Sequence, residues 1–233
     1  MCNKINITPK LTIEGEDRTL GAVLLGAPYS RKRESVMLPM IQQDIQSKPM
    51  MGVAVFDTDG IPTQAAARCA RESGRPYVLL DPRMEWCPFF NPLIGDENEV
   101  FEDLRTVVSE YLPDLSPSLR ALNESLLSNA IKVLKRLDKA EGVNGRYATF
   151  INMNTVLQNP SQDGRKLVIR FGQLKGETDA EQKENSDIAS WFINEYYAER
   201  SKPFEQTACL RLLLGKLISE PHLRTCLLYT SDA

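Results

Sequence analysis

A basic loop, Gly26-Ala-Pro-Tyr-Ser-Arg-Lys-Arg33, follows the apolar run Ala22-Val-Leu-Leu25 and leads into an apolar segment with helical spacing. This is the layout of a phosphate-binding loop, Gly-x-x-x-x-Gly-Lys-Ser/Thr. The chemistry of such a loop is specific. Backbone N–H groups at a helix N-terminus point at phosphate oxygens, and the lysine adds a point charge. The second glycine lets the backbone approach the anion, and the hydroxyl residue holds Mg²⁺. Gly26 and Lys32 stand in register with that pattern, but Arg31 replaces the second glycine and Arg33 replaces the hydroxyl residue. If the backbone is left-handed at Arg31, the side chain there costs about 1–2 kcal/mol relative to glycine. Arg33 cannot coordinate Mg²⁺ and repels it. Ser30 and Ser35 are hydroxyls out of register for the metal. The expected site is therefore a cradle for ATP phosphates, made by Gly26, Ser30, Arg31, Lys32 and Arg33, with Mg²⁺ binding and hydrolysis impaired. A solvated basic loop with no ligand accounts for the same residues, and both readings stand at this point.

Other residues could also do chemistry. Asp57, Asp59 and Asp81 follow apolar runs and could form a metal cluster, although carboxylates there more often cap helices and shape turns. Trp86, Phe89 and Phe90 could stack on a base, or pack into a core. Arg165, Lys166 and Arg170 could touch a nucleic-acid backbone, or form an ordinary charged surface. The five cysteines (Cys2, Cys69, Cys87, Cys209 and Cys226) have no CxxC spacing, and their odd number makes a poor disulfide framework. They read as reduced thiols. The single histidine, His222, follows a proline near the chain end, which argues against a Ser-His-Asp or Cys-His device. Net charge is −3, so there is no global positive field to recruit nucleic acid. No apolar run is long enough to span a bilayer, and the first residues carry no signal-peptide core.

Several elements must position the loop. Leu11-Thr-Ile13 and 22–25 read as strands. Residues 34–46 read as a helix with Pro39 near its start, which should kink it or tighten its first turns. Gly52-Val-Ala-Val-Phe56 and Tyr77-Val-Leu-Leu80 have the composition of central parallel strands, with a helix over 63–72 between them closed by Gly74. This alternation predicts an α/β fold with a parallel sheet. The loop 26–33 and the segments 57–60 and 81–83 would then gather at the strands' carboxyl ends. Beyond residue 96 the character is helical: 97–112, 117–139, 149–157, 188–199 and 205–219. The stretch 172–187 reads as an exposed polar loop. Leu119, Leu122, Leu126, Leu127, Ala130, Ile131, Leu134 and Leu137 form one broad face on the second of these helices, more often a core than a cofactor site.

The segments resemble, in order and spacing, the conjugative type IV secretion coupling proteins, the VirD4/TraG/TraD-like ATPases. Their loop typically reads Gly-Ala-Thr-Gly-Ser-Gly-Lys-Thr before a helix with an internal Leu-Pro. Here 26–44 is similar to that loop and helix. Residues 52–60 are similar to the strand that follows it, and Val78-Leu-Leu-Asp-Pro82 and Phe90-Asn-Pro-Leu93 to the next strand and its Asn-Pro segment. The resemblance covers most of residues 11–160. It implies a RecA-like P-loop core over 1–96 with a mostly helical subdomain over 97–225. It further implies ATP as cofactor, a hexameric homo-oligomer, and DNA or a relaxosome as partner. The machine would act at a secretion channel of the inner membrane. Gly26 and Lys32 carry over as phosphate-contacting positions, and Asp57 matches the acidic residue after the second strand. Arg31 and Arg33 depart from the pattern, which leaves two functions open: a motor ATPase for DNA transfer with impaired hydrolysis, or a non-hydrolysing relative that binds anions and acts through protein contacts.

Two features of this family have no counterpart here: the downstream acid that drives hydrolysis and the membrane anchor before the core. The fragment is therefore expected to be cytoplasmic, whereas the full-length family is membrane-anchored. Cys226-Leu-Leu-Tyr-Thr-Ser-Asp-Ala233 resembles the translation of a sequencing adapter, so residues 226–233 are expected not to belong to the natural protein.

Overall fold

The computed structural model describes residues 4–48, 50–84, 87–158 and 162–223. Trp86, Cys2 and the stretch 226–233 lie outside the described residues. The chain divides into two compact units, Met1–Pro88 and Phe89–Ala233.

In the first unit, β1 (Ile5–Thr8) and β2 (Leu11–Ile13) pair antiparallel, with Ile5 opposite Ile13 and Thr8 opposite Leu11. The Thr8 hydroxyl accepts from Leu11 N at 3.0 Å and tightens the turn. A wide π-type turn over Arg33–Met37 runs into helix α1 (Leu38–Gln46). The widening has a cause. Pro39 has no N–H to donate back one helical turn, and an i→i−5 turn accommodates the missing bond. The Gln43 amide joins α1 to the hairpin, accepting from Asn6 N at 2.9 Å and donating to Asn6 O at 2.8 Å. Helix α2 (Ile61–Glu72) ends where Gly74 takes a φ of 63°. There Arg75 N bonds Ala70 O and Gly74 N bonds Arg71 O, a Schellman close. A small core joins Ile45 of α1 to Ala66, Cys69 and Ala70 of α2.

The RecA-like parallel sheet expected from the sequence is overturned. Among the described residues the sheet content is the two-stranded hairpin, and the remaining regular structure is helical. The runs 22–25, 52–56 and 77–80 carry no strand pairing. Their side chains face solvent: Val23 is 84% exposed, Leu25 86%, Phe56 94% and Val78 75%. A parallel strand needs neighbours in register and helices over both faces, and apolar composition cannot by itself supply them. Here only Val55 of these runs packs against the α1–α2 core, and no second helical layer covers their other face among the described residues.

In the second unit, α3 (Glu97–Tyr111), α4 (Pro117–Glu141), α5 (Phe150–Leu157), α6 (Gln162–Gly172) and α7 (Asp179–Trp191) are followed by a π-type turn at Phe192–Tyr196, then α8 (Lys202–Gln206) and α9 (Ala208–Ser219). Asp96, Ser116, Thr149, Thr178 and Ser201 each accept a backbone N–H of the helix they start. Helix α4 is the axis of the core, with Leu126, Leu127, Ala130, Ile131, Leu134 and Leu137 buried. Asp138, also buried, accepts from Gly145 N, Tyr147 N and Ala148 N at 2.8, 2.7 and 3.2 Å, which folds the chain back toward α5. Helix α6 passes α5 at Gly164, where a Cβ would sit 2.3 Å from Thr155 O. Residues 89–96 pack in this unit: Leu93 is buried and Asn91 Nδ2 donates to Ala148 O at 2.8 Å. The polar stretch 172–187, expected as a loop, is largely α7; the Thr178 cap and the buried Asn185, Ile188 and Ala189 fix it. Among the described residues, no helix is long and apolar enough to cross a membrane.

Candidate functional site: the basic loop and its carboxylates

The loop closes on itself. Ser30 N donates to Ala27 O at 3.2 Å, with Pro28 second in the turn and Tyr29, at φ 64°, third. Proline followed by a positive φ is the pattern of a type II turn, where glycine is the usual third residue. Arg31 follows at φ 52°. These are the positive-φ residues other than glycine among those described. Both stand where the resembling loop, Gly-Ala-Thr-Gly-Ser-Gly-Lys-Thr, has glycine. The backbone thus takes a shape that glycine would adopt without strain.

Lys32 turns inward. Its ammonium donates to Gly26 O at 3.1 Å and Ala27 O at 3.4 Å, so the loop wraps around the charge. Gly26 leaves room for this closure: a Cβ there would lie 2.8 Å from Ser30 Oγ and 3.3 Å from Lys32 Cδ, and those two side chains would have to shift. Arg31 O is bonded by Ser35 N at 2.9 Å and Ser35 Oγ at 2.6 Å, which locks the start of the helix. The first N–H groups of any helix have no partner within it. Here Lys32 and Arg33 hold those positions and add side-chain charge at the end that favours anions.

The carboxylates beside the loop come from the turn before α2. Asp57 accepts from Gly60 N at 2.5 Å and Thr63 N at 2.8 Å, so it caps α2. Partial burial works against its charge, but the Thr63 and Gly60 N–H groups, the Thr63 hydroxyl and Arg33 prevail and hold its carboxyl below the ordinary value. Asp59 accepts from Ile61 N at 3.1 Å and from Arg33 Nη1 at 2.5 Å. These two hydrogen bonds, in that order, also lower its pKa. Asp81 chelates Arg83 through Nε at 2.8 Å and Nη2 at 2.9 Å. The same Nη2 lies 3.1 Å from where a Cβ on Gly60 would sit. The three polar segments therefore meet although no sheet carries them.

Among the described residues, no group of three or more His, Cys, Asp or Glu side chains is placed to hold a metal. Arg33 occupies the position of the metal-holding hydroxyl residue and is bonded to a carboxylate. Asp59 and Arg83 matter here: the sequence set their segments beside the loop and offered Asp59 as a metal ligand, but gave neither its pairing and left both out of the phosphate cradle. Their signal is faint, an Asp two residues after Asp57 and a basic residue after Asp81-Pro82. Pairing across 26 residues, as between Arg33 and Asp59, leaves no local trace.

The remaining candidates have other roles. Arg170 bonds the Tyr147 hydroxyl and Glu141, Lys166 pairs with Asp163, and Arg165 lies over the Tyr197 ring. Phe89 and Phe90 are more than half exposed, so neither serves the core. An apolar cleft of about 620 Å³ lies between α2 and the runs 53–56 and 75–80. Its basic residue, Arg75, donates to Asp44 O, Ile45 O and Met51 O, capping α1. The cleft walls offer nothing that would select a phosphate.

Comparison with protein-family models, with curated proteins and with solved structures finds no match for this chain.

Proposed function

We propose that residues 26–33 bind the phosphates of a nucleotide such as ATP without Mg²⁺, and that the chain does not turn the nucleotide over. One observation carries this reading. Arg31 is left-handed at the position where a phosphate-binding loop has its second glycine, Tyr29 is left-handed where the resembling family's loop has another, and Lys32 is drawn into the loop by Gly26 O and Ala27 O. A loop selected only for solubility has no reason to keep two strained residues, each disfavoured by about 1–2 kcal/mol. The arginine at the metal position opposes hydrolysis, because phosphoryl transfer relies on metal neutralisation of the developing charge.

The order of segments over 11–160 supports placing the chain among relatives of conjugative type IV coupling proteins. In this proposal it is a non-hydrolysing, anion-binding subunit that works by contact with copies of itself or with the DNA-transfer machinery on the cytoplasmic side of the membrane. The test is a coupled ATPase assay run beside a nucleotide-binding titration. The expected result is saturable binding lost in Lys32→Ala, with turnover at background. Turnover that Lys32→Ala abolishes would overturn the non-hydrolysing assignment. Equal binding by both chains would overturn the site.

A further inference from the structure

Resting on that anion-binding reading, we infer that Asp59 is a resting counter-ion for Arg33 and that an incoming phosphate displaces it, so that Arg33 does the charge-neutralising work of a metal. Arg33 lies in the first turn of the helix that follows the loop, next to Lys32. Its guanidinium is bonded to Asp59 at 2.5 Å, and both side chains remain more than a third exposed, 38% and 41%. The arginine is therefore held but not buried, and solvent reaches both members of the pair.

Asp59 is the fixed member of the pair. Its other oxygen accepts from Ile61 N at the start of α2, and Asp57, beside it, is occupied by Gly60 N and Thr63 N. The charged groups beside Arg33 are thus Asp59 by direct contact and Asp57 at longer range, while the neighbouring Lys32 directs its ammonium to Gly26 O and Ala27 O. A guanidinium matches phosphate oxygens in a bidentate fork. A phosphate that takes Arg33 from Asp59 exchanges one charge-assisted bond for another. The cost of breaking the resting pair lowers the apparent affinity, which makes the pair a built-in brake on occupancy.

The test is a double-mutant cycle read by titration with inorganic tripolyphosphate, without metal, on the full chain. Asp59→Asn keeps the oxygen that accepts from Ile61 N and removes the charge, so α2 retains its start. It should tighten binding about two- to five-fold, the range set by a half-exposed ion pair. In an Arg33→Ala background the same change should lose at least half of that gain. No tightening by Asp59→Asn, or equal tightening in both backgrounds, overturns the counter-ion exchange alone. Failure of both the native chain and Asp59→Asn to bind, or binding indifferent to Lys32→Ala, overturns the anion site and this inference with it.

Discussion

Arg31 offers the sharpest separation of backbone shape from charge. At φ 52° its β-carbon meets the following carbonyl, a strain of about 1–2 kcal/mol for a left-handed residue other than glycine. Arg31→Gly removes that strain and adds about 0.5–1 kcal/mol of backbone entropy cost. The net effect is a stabilisation of roughly 0.5–1 kcal/mol. Arg31→Ala keeps the β-carbon, and hence the strain, and should leave stability unchanged. Both substitutions remove the same positive charge and should weaken tripolyphosphate binding, Arg31→Ala by about ten-fold, the worth of one charge-assisted hydrogen bond, and Arg31→Gly by less because glycine also lets the backbone approach the anion. The assay is a urea midpoint at unchanged slope for each variant, beside a binding titration. The reasoning is refuted if Arg31→Gly and Arg31→Ala shift the midpoint equally, or if glycine lowers it.

The buried carboxylate of Asp138 should be essential to the helical unit. Asp138→Ala orphans three N–H groups and should cost about 3 kcal/mol, with Asp138→Asn at roughly half, both read from denaturation midpoints. Gly164→Ala drives a β-carbon into the Thr155 carbonyl and should cost about 3 kcal/mol or prevent folding, whereas Gly215→Ala, inside α9 with open space at its Cα, should stabilise by about 0.5–1 kcal/mol. Asp57 has a depressed folded pKa, so its stabilising contribution is present above the unfolded value of 3.8 and is lost as pH falls below it through the folded value. A carboxyl-carbon NMR titration should place its midpoint below 3.8, and a midpoint at or above 3.8 refutes the capping account.

Much of the helical structure was legible because its signals are local. The α4 stripe and the αL glycine after α2 each act within a few positions of themselves. The stretch 172–187 misled because its charged residues outnumber its apolar ones. Its helix depends on the Thr178 cap and on burial of Asn185, Ile188 and Ala189, which tertiary packing supplies. The parallel sheet misled for the opposite reason. Runs such as 52–56 have strand composition, but pairing is a property of partners, and here the run sets only Val55 on the α1–α2 core and pairs with no strand. Within the site, the register of Gly26 and Lys32 was readable and so was the strain at Arg31. The Tyr29 strain was hidden because a turn's third residue is recognised by glycine and here it is tyrosine. The Arg33–Asp59 pair was hidden because it joins residues far apart in sequence.

The central claim is that the loop binds nucleotide phosphates with arginine in place of a metal. Titration of ATP into the full chain, once with excess Mg²⁺ and once with a chelator, tests it most directly. The account predicts saturable binding of similar affinity in both conditions. Binding that requires Mg²⁺, or no binding in either condition, would contradict it.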